Sequence, residues 1–468
     1  MDAITVRALA DSDVQRIHET SLRVLQEVGI DVHHEKIHAR LLDAGAIRGA
    51  TNSRLLIPEG MVKDALAQCD RDIVLDSVRG EKYPMGTRGP VFFSSCVIDP
   101  FMLDYADGHR PPRLEDCATN ARLVDALDAI AMPYKMDLDY SDASGELALL
   151  KSNFAFMSNM SKHYICAPHD VRGARIWMEM CEIMADGSLR DNRIVSAFVS
   201  PMAPLTFDPQ LLEIIELLLS YGIMLVMLPC PQAGATSPFS IAGTVVDFNV
   251  ENLATIVIAQ TLSPGSALHY HNVVMSFNMK HGVSSLGGPE KVLCALAGVE
   301  MGRFYGLSSG CAGTGTDSVW NDIQNGAETM SQLLPAVTSG AKLINGIGSI
   351  GNGMGTCAEQ ILFDCDLIAL AERLRNGICV DDAHLAFEAI KRVGPGGNFL
   401  MDDHTLRWLR SGEHFYEGSF ERSGSTDTKR CVKENLHARI LEILNEHTPA
   451  IPDHKLEALQ AYVHEKCS

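Results

Sequence analysis

The chain predicts one α/β architecture: a TIM (β/α)8 barrel with an N-terminal helical and hairpin extension and a C-terminal helical tail. Three observations lead there. Short β-type runs alternate with helix-type segments at roughly 30–45 residues per unit, as parallel strands joined by helical crossovers do. Seven such units are visible in the sequence, more than a typical doubly wound sheet holds and one short of a closed ring. Gly-rich, charge-poor loops follow the later runs, above all GCAGTGTDS and NGIGSIGNGMGT between Gly306 and Gln360. Such loops belong where strand ends open into a shared cavity and backbone comes close to a ligand.

Each element has its own signal. Asp11–Val28 carries apolar residues at helical spacing behind an Asp cap, and Gly29 closes it. His34–Leu42 and Pro58–Ala67 read as two further short helices. Val91–Pro112 holds two β-rich runs broken at Asp99-Pro100, with Asp107-Gly108 closing the second, and predicts a hairpin. A helix follows from Leu114. The repeating strands are placed at Pro133–Leu138, His163–Ala167, Ile194–Ser200, Ile223–Leu228, Ser266–His271, Leu307–Gly310 and Ala341–Asn345. Between them lie helices such as Pro209–Ser220, Asn249–Leu262, Pro289–Phe304 and Ile323–Ala336. The eighth strand falls either near Gly397–Met401 or earlier in the chain. Thr428–Lys466 reads as one or two polar helices split at Pro449–Pro452, packed on the barrel's outside or on another subunit. The divisions are 1–112 for the extension, 113–427 for the barrel and 428–468 for the tail.

Composition narrows the function. A chain of 468 residues, 46% hydrophobic and 21% charged, suits a folded protein with a large core. A net charge of −20 sets the surface against nucleic acid and anionic membrane. The 13 cysteines show no CxxC pair, which fits reduced thiols and not a disulfide framework. The N-terminus lacks a basic-then-apolar signal, and no run reaches the roughly 18 apolar residues of a spanning helix. A cytoplasmic, homo-oligomeric protein without nucleic-acid or membrane partners is expected.

In a barrel, residues just after each strand line the active mouth. Here these are Ser200–Pro204, Pro229–Ala235, His269–Asn272, Gly313–Ser318, and Asn345–Gly348 with Asn352. The set is uncharged apart from Asp317 and the histidine pair. His269 and His271 share one face of a strand. That spacing suits a metal, hydrogen-bonded cavity histidines, or substrate contact. No third ligand, HExxH or Cys cluster accompanies them, so no metal is assigned. Asp317 reads as a helix cap or a site acid. Gln324 and Glu328 lie one helical turn apart and face either the mouth or solvent. The GTGTDS loop lacks a phosphate-binding motif around it, and no GxSxG elbow supports a hydrolase. The substrate-binding candidates are His269, Tyr270, His271, Asn272, Gly313, Thr316, Asn345 and Asn352. Asp317, Gln324 and Glu328 are the catalytic candidates, acting by positioning.

Four segments carry a family resemblance. FMLDYADGHRPPRLEDCATNARLVDAL, VSPMAPL through PCPQAGATSPFSIAGTV, GTGTDSVWNDIQNGAE and EQILFDCDLIALAER span Phe101 to Arg373. In order and content they resemble the trimethylamine methyltransferase family, specifically the branch without pyrrolysine, a residue this sequence lacks. The resemblance implies a TIM barrel that moves a methyl group from a quaternary amine to Co(I) of a corrinoid on a separate small protein. Glycine betaine, proline betaine and carnitine are substrates of that branch. No D-x-H-x-x-G motif is present, since Asp31-Val32-His33 is not followed by the required Gly. The cobalamin-type cofactor would therefore arrive on a partner, with none bound tightly.

Quaternary nitrogen leaves as a neutral amine, so such a reaction depends on positioning, worth roughly 7–11 kcal/mol at best. A mostly neutral cavity suits a charge that fades along the reaction. Tyr270 would offer a ring face worth roughly 0.5–2 kcal/mol to the cation. Two departures from the family pattern concern substrate size. HYHN at 269–272 replaces a smaller strand end, and the Asn345–Thr356 loop carries five glycines, which would enlarge the pocket beyond glycine betaine. The alternatives are a metal-dependent barrel lyase or hydrolase using His269 and His271, and a non-catalytic betaine-binding or regulatory barrel.

Overall fold

The computed structural model describes residues 4–415, 418–424 and 431–467. Parts of the expected divisions lie outside them: 1–3 of the extension, 416–417 and 425–427 of the barrel range, and 428–430 and 468 of the tail.

Eight parallel strands close a ring: β1 (Phe92–Ser95), β2 (Tyr134–Met136), β3 (Tyr164–Ala167), β4 (Val195–Val199), β5 (Met224–Met227), β6 (Leu268–Tyr270), β7 (Gly310–Ala312) and β8 (Leu343–Ile347). Strands β2 to β6 pair in sequence, and β8 pairs with β7 and β1. Single bridges, Cys96 to Tyr134 and Tyr270 to Ser309, join β1 to β2 and β6 to β7. Closure leaves the ring no free edge. Eight helices wrap it: α1 (Leu114–Ala126), α2 (Gly145–Met157), α3 (Val171–Ala185), α4 (Pro209–Ser220), α5 (Ile241–Leu262), α6 (Pro289–Phe304), α7 (Ile323–Thr338) and α8 (Ala358–Arg375). Several begin where the sequence supplies a cap. Asp170, Asp208 and Asp322 accept backbone N–H groups of Gly173, Leu211 and Asn325, satisfying first-turn donors.

The eighth strand is β1, the first of the ring in chain order. Phe92–Ser95 lies between β8 and β2 and does not pair with the run after Pro100, as the expected hairpin required. That hairpin forms from the second run alone, Phe101–Asp104 against Gly108–Arg110. The Asp104 side chain closes its turn by accepting from Ala106 and Asp107 N–H. Gly397–Met401, the other expected place, is an exposed turn in which Met401 is 91% exposed.

Helices Asp11–Glu27, Glu35–Asp43 and Glu59–Gln68 pack on α5. By length and composition α5 is apolar enough to cross a membrane. Here its inner side faces the barrel and its outer side faces these three helices, so it is apolar nearly all round. Asp247, Asn249, Glu251 and Asn252 interrupt its apolar run, which is why a search for an unbroken stretch passes over it.

Another antiparallel pair, Val74–Asp76 with Lys82–Pro84, plugs the other end of the barrel. Leu75, Tyr83 and Met85 pack there against Met132, Met224 and Leu343, at or just before the first residues of their strands. The tail helices Val432–Glu446 and Asp453–Cys467 lie on the outside, against α8 and α1 and against α2 and α3 respectively. Arg439 reaches Asp366 at 3.1 Å and the Tyr462 hydroxyl donates to Glu179 at 2.6 Å.

Candidate active site

A cavity of about 560 Å³ opens at the C-terminal ends of the strands, the end where such barrels do chemistry. Strand alternation builds one wall. Tyr134 and Met136 of β2 point in, as do Phe198 and Ser200 at β4. The Tyr134 and Phe198 rings meet edge-on, centroids 5.4 Å apart at 84°. These strands flank β3, which stands across the ring from β7. On the β7 side the wall is Thr314, Gly315 and the buried Lys291 of α6. The Lys291 ammonium donates to the Thr314 carbonyl at 2.6 Å and to Gln332 Oε1 at 2.5 Å. Burial pulls its pKa down from 10.5 to about 8. The wall's single carboxylate, Asp208, is committed to the α4 cap through Leu211 N–H at 3.0 Å.

Below the cavity, His269 and His271 fill the barrel interior, both fully buried. His271 Nε2 donates to Asn345 Oδ1 at 3.0 Å, reaching from β6 past β7 to β8, and His269 Nδ1 meets the Ser308 hydroxyl at 2.9 Å. The reach depends on Gly310. A Cβ there would sit 2.6 Å from His271 Nδ1 and 2.7 Å from His269 Nε2. Those two nitrogens have no partner among the described residues. Burial lowers the His271 pKa to about 4 and holds His269 well below the ordinary imidazole range, with His271 adding to the effect. Both rings are neutral at pH 7. No carboxylate or thiolate completes a metal site around them among the described residues; the three metal-type ligands that converge are Cys379, Asp381 and His384, in the segment after α8.

Of the expected substrate contacts, Asn345 and Asn352 line the cavity. Tyr270 does not: its ring points into the helix layer, where its hydroxyl donates to Asn249 Oδ1 at 2.8 Å. Asn272 turns toward Gly298 of α6, and Gly313 packs on Ile344 and Ala336. Thr316 donates to Glu328 Oε2 at 2.6 Å, and Glu328 also accepts from Asp317 N–H and Gln324 Nε2, both at 2.9 Å. Asp317 in turn accepts from the Ser285 hydroxyl and from Leu286 and Gly287 N–H at 2.6–2.9 Å. Asp317, Gln324 and Glu328 thus form a brace that fixes residues 285–287 at the cavity edge, and none of the three lines the cavity. The cap of α7 is Asp322 instead of Asp317.

The glycine-rich 345–356 loop serves mainly packing. Gly346 and Gly353 face the cavity, whereas a Cβ at 348 would strike Ile361 and one at 355 would strike Phe101, each within 2.3 Å. Tyr134, Phe198 and Lys291 lie outside the positions just after the strands, from which the candidate residues are drawn. The available signals were alternation inside PYKMD and FVS, and a lysine near the start of an otherwise apolar helix.

Two acids near the mouth are biased toward the neutral form. Burial raises Glu251 of α5 to about 8, against its one bond from Leu205 N–H at 2.9 Å. Asp99, fully buried, rises to about 6 although the Thr356 hydroxyl and the Cys96 thiol donate to it.

The same architecture and sequence recur in known proteins. The chain is 25% identical over 463 residues to a glycine betaine methyltransferase of Desulfitobacterium hafniense (strain Y51), covering 97% of this chain and 96% of that one. It is 27% identical over 464 residues to a trimethylamine methyltransferase, MttB, of Methanosarcina thermophila, covering 96% and 94%. Among solved structures, the monomethylamine methyltransferase MtmB of Methanosarcina barkeri shares the fold with a TM-score of 0.55 at 11% identity, over 93% of this chain and 89% of that one. The model of the family described as trimethylamine methyltransferase (MTTB) matches residues 2–468. A closed (β/α)8 ring matched along its whole length in this way belongs to the trimethylamine methyltransferase family, and the protein is a methyltransferase.

Proposed function

We propose that this methyltransferase takes a methyl group from a quaternary amine of the betaine type and delivers it to Co(I) of a corrinoid carried on a separate small protein. The observation that carries the reading is the Tyr134–Phe198 aromatic corner in a wall whose one carboxylate is already engaged. An onium group against those rings gains roughly 0.5–2 kcal/mol. When the methyl carbon departs, the C–N electron pair stays on nitrogen and the positive charge vanishes. A free carboxylate beside the nitrogen would hold the substrate more tightly than the transition state and slow the step. Aromatic rings bind the cation without that penalty in full, and Glu251, raised to about 8, adds little negative charge nearby. Phe198, Leu228 and Met275 make the wall apolar and keep water from the reacting carbon.

The face around the mouth supports the partner. Met202, Phe239, Met279, Trp320, Ile323 and Met354 stand 51–92% exposed on the loops after β4 to β8 or just inside α7. Apolar side chains gathered on one face mark a surface that another body covers. Membership of a methyltransferase family overturns both alternatives: the metal-dependent lyase or hydrolase built on His269 and His271, and the non-catalytic binder.

The test is spectral. The protein is mixed with Co(I) corrinoid protein and glycine betaine, proline betaine, carnitine or trimethylamine in turn. Methylated corrinoid is expected with one or more betaines and not with trimethylamine, whose free base would have to leave as an amide anion. Methylation from trimethylamine alone, or from none of the four, overturns the reading.

A further inference from the structure

Lys291 occupies a position that the transfer chemistry leaves unexplained. The residue is 2% exposed, yet burial of a cation is costly unless it is fully bonded. Three protons are available, and two are used, on the Thr314 carbonyl and Gln332 Oε1. The third meets no acceptor among the described residues. The group is also held in place. Gln332 Nε2 donates to the Leu286 and Gly315 carbonyls at 3.1 and 2.5 Å, tying the lysine's partner to both edges of the cavity.

Space is kept open in front of it. Gly315 lines the cavity beside it, and a Cβ there would lie 3.0 Å from Nζ. Gly315 also has φ +141°, a conformation other residues rarely adopt. An anion would complete it best: a cation would be repelled, and a neutral acceptor would offset less of the desolvation. The aromatic corner lies across the ring, on the strands flanking β3. The cavity is therefore polarised, with a cation-seeking wall opposite a wall that offers a buried positive donor.

We propose that Lys291 reads the carboxylate of the substrate, so that the cavity selects zwitterions, with the onium group on Tyr134 and Phe198 and the carboxylate on the Lys291 ammonium. This rests on the quaternary-amine reading above and assigns its specificity to one residue. Positively charged amines without a carboxylate meet an unpaired ammonium and are disfavoured. The lowered pKa of Lys291, about 8, fits a donor that gains its full charge when an anion arrives. The titratable groups acting on it are Cys311 of β7, whose thiol burial pushes up to about 12, and Asp317, which is bonded to Ser285.

Calorimetry on the whole chain tests this without requiring turnover. Glycine betaine, proline betaine and carnitine are compared with choline, which carries a hydroxyl in place of the carboxylate. The best betaine is expected to bind more tightly than choline. Lys291→Gln is expected to weaken that betaine by about 10- to 100-fold and choline by less than about threefold. Equal losses for both, or no loss, overturn the proposal, as does a wild type that binds choline as tightly as every betaine. Should Lys291→Gln fail to fold, the wild type alone decides. Binding of a betaine near pH 8.5 should take up protons, read from the buffer dependence of the heat, whereas choline should not. No uptake overturns the assignment. Failure of the methyl-transfer reading looks different: zwitterion selectivity persists while corrinoid stays unmethylated.

Discussion

A single hydrogen atom at position 310 decides how the middle of the barrel is wired. With no side chain there, the His271 imidazole crosses β7 and reaches Asn345. Gly310→Ala puts a methyl 2.2 Å from the Leu343 carbonyl and within 2.7 Å of two imidazole nitrogens. We expect a loss of about 1–3 kcal/mol or more in denaturant unfolding, with refolded protein showing weaker betaine binding.

Glu251 yields a prediction with a defined sign. Burial raises its folded pKa from 4.5 to about 8. The unfolded chain therefore ionises first, and the fold loses stability as pH rises from about 4.5 to about 8. Glu251→Gln keeps an acceptor for Leu205 N–H and has no charge to bury. Its melting temperature should exceed that of wild type at pH 8 and by much less at pH 5; an equal gain at both counts against burial as the cause. Residue roles were the least legible part of the sequence. The HxH pair stood out, but its meaning depended on a glycine in the next strand. Tyr134 and Phe198 looked like ordinary strand residues because their proximity arises only when the ring closes.

Among elements, α5 shows how burial on two sides erases a pattern. Its outer face is covered by the helices Asp11–Glu27, Glu35–Asp43 and Glu59–Gln68, so the amphipathic signature of a barrel helix disappears. Leu25, fully buried in the first of these, helps cover it. Leu25→Ala should cost about 2–5 kcal/mol in chemical denaturation. A cost near zero would mean that the N-terminal helices merely lean on the barrel. The seven repeating strands were legible because each is a short β-type run set off by a helix-type segment, several of them begun by an Asp cap. The strand β1 was not, because its sequence neighbour across Asp99-Pro100 offered a local pairing that the global ring overrode.

At the scale of the whole molecule, the apolar rim and the cavity divide the work. Ile323, 92% exposed on the rim, lies outside the wall that would hold the amine. Ile323→Glu should raise the KM for the proposed corrinoid partner several-fold, by up to about tenfold for a lost interface contact, and leave calorimetric betaine affinity unchanged. A parallel loss of betaine affinity would place the rim within the small-molecule site instead.

The plug of Leu75, Tyr83 and Met85 at the far end fixes the order of traffic. A vessel stoppered below is loaded and emptied from above, through the opening that the proposed large visitor would cap. With that visitor in place, the small donor would have to board before it settles, and the spent amine would have to wait for it to lift. The expected kinetics are a compulsory sequence, in which excess carrier locks the vessel empty and slows turnover, read as inhibition in a steady-state carrier titration.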